Sequence, residues 1–124
     1  MNASPYETVD EQWLWERGGL HDSTILAWQA QGGATTFRIK DVWWNSEGFP
    51  DYKGPEPGSL VISGSGHAPD CAPIVAKVIL DAALIRKDGL MGLCLVTSEH
   101  PPIEILGDAV RWYPDPRSRE QPLS

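Results

Sequence analysis

The stretch Thr24-Ile25-Leu26-Ala27-Trp28-Gln29-Ala30-Gln31-Gly32-Gly33-Ala34-Thr35-Thr36-Phe37-Arg38-Ile39-Lys40-Asp41 decides the fold. It reads as two strands, 24–31 and 34–41, around a loop of two glycines. Glycine tolerates the positive φ that both central positions of a tight primed turn require. Such a loop fixes the register. Gln31 faces Ala34, Trp28 faces Phe37 and Leu26 faces Ile39 on one side; Ala27 with Arg38 and Ile25 with Lys40 fall on the other. One face is apolar on both strands, which a slip of one residue would scatter. Beyond Ile39 the parity changes, because Phe37 and Ile39 are odd-numbered while Val42 and Trp44 are even-numbered. A β-bulge near Lys40-Asp41 accounts for the switch, and the second strand then runs over 34–44.

The same logic extends along the chain. Asp88-Gly89 is a hairpin turn signal between 74–87 and 90–98, pairing Leu84 with Leu93, Ala82 with Leu95 and Leu80 with Thr97. The Ala and Leu content of 74–87 and the Lys77–Asp81 spacing permit a helix there, but the turn favours a strand. A third hairpin is predicted over 103–106 and 109–113 around Gly107-Asp108. It sets Ile105 against Val110, Ile103 against Trp112, and Glu104 against Arg111 as a cross-strand ion pair. Residues 59–64 make a short strand. Thr8-Val9-Asp10-Glu11 reads as a capping box for a helix over about 9–17, with Val9 and Trp13 on one face and Gly18-Gly19 as its stop. Loops cover 45–58 and 65–73, and 114–124 is a loose tail. The expected fold is all-β and mainly antiparallel: a single domain over 1–124 with about seven strands, a sandwich or half-open barrel, and one short N-terminal helix.

Composition agrees. The 124 residues suit one domain, and 41% apolar with 22% charged residues fits a folded core. Twelve glycines and eleven prolines make turns frequent. A net charge of −7 repels phosphate backbones and excludes nucleic acid as the expected partner. No apolar run is long enough to span a membrane. The N-terminus lacks the basic and apolar regions of a signal peptide, so a cytoplasmic protein is expected. Cys71 and Cys94 form no CxxC and imply no disulfide framework. Cys94 reads as a small buried hydrophobe and Cys71, in a Pro-rich loop, as exposed.

Few constellations carry chemistry. His21-Asp22 is an acid/base or ligand pair by type, but neighbours on a strand point to opposite faces. His67, Asp70 and Cys71 are weak metal-ligand candidates that match no metal motif. With His21 they define the metal-dependent-enzyme alternative. No G-x-S-x-G, P-loop or G-x-G-x-x-G is present, so no catalytic residue and no cofactor is expected. Six tryptophans are many for this length. Trp28 and Trp112 fall on core faces, and Trp13 packs the helix onto the sheet. Trp43 and Trp44 must point to opposite faces, so one of them with Phe49 and Tyr52 of the 45–58 loop forms a candidate aromatic binding patch.

Trp13, the run Leu20-His21-Asp22-Ser23 with Ile25, and Gly107-Asp108-Ala109-Val110-Arg111-Trp112 resemble the pattern of a group of small bacterial proteins. That pattern is a Trp-containing N-terminal helix, a His-Asp-Ser/Ala start to the first hairpin, and a late Gly-Asp hairpin ending in Trp. Some members are similar to immunity proteins of polymorphic toxin systems. The resemblance implies a non-enzymatic domain that binds a protein partner, a toxin in its concrete form, and transfers no catalytic residue. The alternative is a carbohydrate or small-ligand module built on Trp43, Trp44, Phe49 and Tyr52, with His21 and Asp22 as further binding candidates.

Overall fold

The structure, a computed structural model, describes residues 6–42, 56–64 and 69–115. Its strands are β1 (Glu7–Thr8), β2 (Thr24–Gln31), β3 (Ala34–Val42), β4 (Glu56–Ser63), β5 (Ile79–Lys87), β6 (Leu90–Thr97), β7 (His100–Gly107) and β8 (Ala109–Pro114), with one helix, α1 (Glu11–Glu16). They form a five-stranded sheet, β1-β8-β4-β3-β2, and a three-stranded sheet, β5-β6-β7, antiparallel throughout. The architecture is all-β and mainly antiparallel as expected; of the two forms left open it is the sandwich, and neither sheet closes into a barrel among the described residues. No described helix is long and apolar enough to cross a membrane. Alternating side chains of both sheets meet in one core: Phe37, Ile39, Leu60, Ile62 and Trp112 from one side, Leu93, Leu95 and Ile105 from the other, all fully buried.

The glycine loop sets the first hairpin as read: Gln31 faces Ala34 and Trp28 faces Phe37. Further from the turn the register shifts. Leu26 is bulged out, Ile25 pairs with Ile39, and it is Ile25 that enters the core. The predicted bulge after Ile39 is present as well, between β3 and β4, where the register shifts from Ile39–Gly58 to Val42–Glu56. It lets Phe37, Ile39 and Val42 all face inward despite their mixed parity.

The second hairpin pairs Leu84 with Leu93 and Ala82 with Leu95, so the strand reading holds and the helical one fails. The strand begins only at Ile79, because Ala72–Ile74 is a 3₁₀ turn. Leu80 is bulged, and Ile79 takes its place opposite Thr97. Before β5, residues 76–79 pair with the start of β2. Ile79 N–H donates to Ser23 O at 2.7 Å and Ile25 N–H to Lys77 O at 3.1 Å, on either side of the Thr24–Val78 bridge. The sandwich is therefore laced along one edge.

The third hairpin is corrected. β7 pairs with β6, and β8 pairs with β4 and β1, so Gly107-Asp108 carries the chain from one sheet to the other. Ile105 and Val110 both enter the core, but from different sheets, as do Ile103 and Trp112. Glu104 pairs instead with Lys87 at 2.7 Å. β7 begins at His100 rather than 103, because Pro101 and Pro102 are tolerable on an edge strand.

The helix is shorter than read. Asp10 is its N-cap, accepting from Trp13 N–H at 2.8 Å, while Thr8 is drawn into β1 opposite Arg111. Trp13 packs as expected, 5.7 Å from the Trp112 ring. Its indole N–H donates to Glu7 Oε1 at 2.8 Å. The buried Arg17 guanidinium lies 4.1 Å from the Trp13 ring and 3.0 Å from the same carboxylate, which fixes α1 to β1.

The expectation for Cys71 reverses, and that for Cys94 is met only in part. Cys71 is fully buried in the core beside Ile74, and Cys94 is half-buried on the outer face of the three-stranded sheet. Burial, and after it the charge of Asp70, pushes the Cys71 thiol up to about 11. The fold then binds a proton that the unfolded chain has lost between about 9 and about 11, so stability falls as pH rises through that window. Cys71→Ala is expected to remove this share of the decline, read as the difference between urea midpoints of the two proteins from neutral to alkaline pH. Parallel pH profiles would contradict it.

Candidate partner-binding seam

Trp43, Trp44, Phe49, Tyr52 and His67 lie outside the described residues. His21 and Asp22 sit in a turn rather than on a strand. Asp22 has φ 70°, and the turn brings His21 Nδ1 to 3.1 Å from Asp22 Oδ2. The expectation that the two diverge is thus corrected; they meet each other, both largely exposed. Asp70 Oδ1 accepts from Ala72 N–H at 3.0 Å, and Cys71 Sγ donates to Pro69 O at 3.5 Å. A buried thiol with a raised pKa is a poor metal ligand, since ligation needs the thiolate. Among the described residues no three His, Cys, Asp or Glu side chains gather to hold a metal ion.

A different region stands out. Five large hydrophobic side chains are exposed among the described residues, and four of them lie along the edge that links α1, β5 and β2: Trp15 at 61%, Leu26, Val78 and Leu80. Each has a local cause. Trp13 and Leu14 are buried, so the helical turn carries Trp15 to the outer side of α1. Leu26 and Leu80 are the residues set outside the register by the two bulges. Val78 sits at the bridge that laces β2 to the approach of β5. Bulges commonly re-aim a side chain beside a functional surface.

Chain geometry places these positions on neighbouring segments. Asp22 N–H donates to Ile79 O at 2.9 Å, which places the His21-Asp22 turn next to Leu80. Gly19 then lies directly on β5: a Cβ there would sit 2.5 Å from Asp81 Oδ1 and 3.5 Å from Ala82 O. Between α1 and β5 opens a groove of about 300 Å³, lined by Glu11, Leu14 and Trp15, by Gly19, and by Ala82, Ala83 and Leu84.

The rim is acidic. Glu11 lines the groove and Asp81 abuts Gly19, and neither makes an ion pair among the described residues. Asp22 adds a third carboxylate beside Leu80. Of the nearby cations, Arg17 is 3% exposed and turned inward to Glu7 and Glu16, Lys77 beside Val78 is paired with Glu99 at 3.2 Å, and Arg86 is exposed at the far end of β5. An apolar strip with a tryptophan at its end and carboxylates along it can anchor a surface of opposite charge. The sequence reading missed this strip. Trp15 alone was within reach, because a tryptophan two places from a buried one cannot share its helical face. Comparison of the chain with protein families, with curated proteins and with solved structures finds no match.

Proposed function

We propose that this chain is a non-enzymatic binding domain that docks a basic protein surface on the α1–β5–β2 seam; in its concrete form it is an immunity-type inhibitor that covers a toxin. The observation that carries the reading is Trp15, 61% exposed beside an apolar groove whose rim is acidic. Tryptophan is over-represented among residues that dominate binding energy, and charge complementarity speeds encounter and fixes orientation. The net charge of −7, and the resemblance of the Leu20–Ser23 and Gly107–Trp112 segments to a group of small bacterial proteins of which some are similar to immunity proteins, support the same class.

The test is co-expression with the toxin candidate encoded beside it, read by growth rescue and by titration of the purified pair. Trp15→Ala is expected to weaken binding about 30-fold or more, the loss of one anchor of about 2 kcal/mol. Its melting temperature should stay near that of the parent, because the side chain is largely outside the core. Neither rescue nor a complex, or a Trp15→Ala protein that binds like the parent, rejects the reading.

A further inference from the structure

The groove exposes backbone as well as side chains. Asp88 and Gly89, at φ 51° and 80°, form a two-residue turn between Lys87 and Leu90. In such a hairpin the pair flanking the loop exchanges both backbone hydrogen bonds, and bonded pairs recur at every second residue. Lys87–Leu90, Ile85–Gly92 and Ala83–Cys94 are then the bonded pairs of β5 and β6. The N–H and C=O groups of Ala82, Leu84 and Arg86 must point the other way, to the outer edge of β5. The contact of Gly19 agrees, since its Cβ position is 3.5 Å from Ala82 O and 3.7 Å from Ala82 N. Upstream, Ile79 on the same edge is bonded to Asp22 and Ser23. Leu84 and Arg86 lie beyond this cover, and no described backbone group bonds to their outward N–H and C=O.

A free strand edge is a template for another extended chain. On β7 the same hazard is blunted by Pro101 and Pro102. β5 has no proline, and the stretch that no described residue covers begins where Trp15, Leu14 and Glu11 form the opposite wall of the groove. We infer that the partner engages the seam with an extended strand that pairs with β5 at Leu84 and Arg86, adding a fourth strand to the three-stranded sheet. This rests on the seam being the partner site. The occupant's chemistry follows from the walls: backbone donors and acceptors for the edge, an apolar side chain beside Trp15 and Leu14, and a basic one for Glu11 and Asp81.

The probe is an end-blocked peptide of alternating valine and lysine, with a second version N-methylated at alternate residues to remove the donors of one edge. Amide exchange of the full chain is followed by NMR. Saturating peptide is expected to slow exchange at Leu84 and Arg86 by at least about tenfold, and the N-methylated version to leave both unchanged. Arg86→Pro, which removes one outward N–H at an exposed position, should lose the peptide, whereas Arg86→Ala should keep it; a Pro variant that fails to fold leaves the exchange measurement on the parent to decide. Shifts at Trp15 without slowing at Leu84 and Arg86 would mean docking by side chains alone, which overturns strand addition and spares the seam. Slowing that grows with protein concentration in the absence of peptide would make a second copy the occupant and also overturns it. A silent titration at both places overturns it too, and the toxin titration judges the seam separately.

Discussion

Trp112→Ala is expected to remove about 3–5 kcal/mol of stability, the range for emptying a fully buried large aromatic site. Trp112 has no exposed surface, lies between Glu7 of β1 and Leu60 of β4, and meets Trp13 at 5.7 Å. Its loss therefore opens a cavity inside the five-stranded sheet and also undercuts the helix. The Trp13–Glu7–Arg17 cluster depends on Trp13 staying where Trp112 holds it. Domains of this size have roughly 5–15 kcal/mol in total, so the variant should be marginal. Urea denaturation followed by tryptophan fluorescence and by far-ultraviolet circular dichroism measures it. Trp112→Phe, which keeps an aromatic ring against Trp13, should lose clearly less. A loss below about 1 kcal/mol for Trp112→Ala would mean that the site collapses around the gap.

Local chemistry made much of this fold legible. Gly32-Gly33 and Asp88-Gly89 set their own turns, and alternation then fixed which residues face each other near those turns. Legibility fades with distance from the loop. In Thr24-Ile25-Leu26 and Val78-Ile79-Leu80, two adjacent aliphatics compete for one inward position, and periodicity cannot choose between them. Both times the β-branched isoleucine is buried and leucine goes out, in strands that must also pair with each other at Thr24 and Val78. That pairing joins segments far apart in sequence, so no window contains its cause. Asp10 in place of Thr8 as the cap is a milder case: β1 recruits Thr8 to an edge that exists only once β8 is folded. The seam was hidden for the same reason. Its exposed leucines are products of the bulges, and its acidic rim assembles from a helix, a turn and a strand.

Gly107→Ala tests the point at which sequence reading and structure diverge most. Gly107-Asp108 looks like a hairpin turn because it is short and flanked by alternating apolar residues. The difference lies in Ser63 at the end of β4. Asp108 N–H donates to Ser63 O at 2.7 Å, and a Cβ on Gly107 would sit 2.2 Å from that oxygen and 2.9 Å from Ile62 Cγ2. Glycine permits β7 to leave the three-stranded sheet while touching β4 of the other; any side chain pries that corner apart. Overpacking against backbone costs about 1–3 kcal/mol, and a lost Asp108–Ser63 bond adds about 1 kcal/mol. A total of about 2–4 kcal/mol is expected, together with faster amide exchange at Asp108. Gly89→Ala is the comparison, since nothing lies within 4 Å of its Cβ position and its penalty is the strain of φ +80° alone, about 1–2 kcal/mol. If the corner is a crossing between sheets, the Gly107 variant loses more and loosens Asp108, whereas a simple turn would make the Gly89 variant, with its positive φ, the weaker protein.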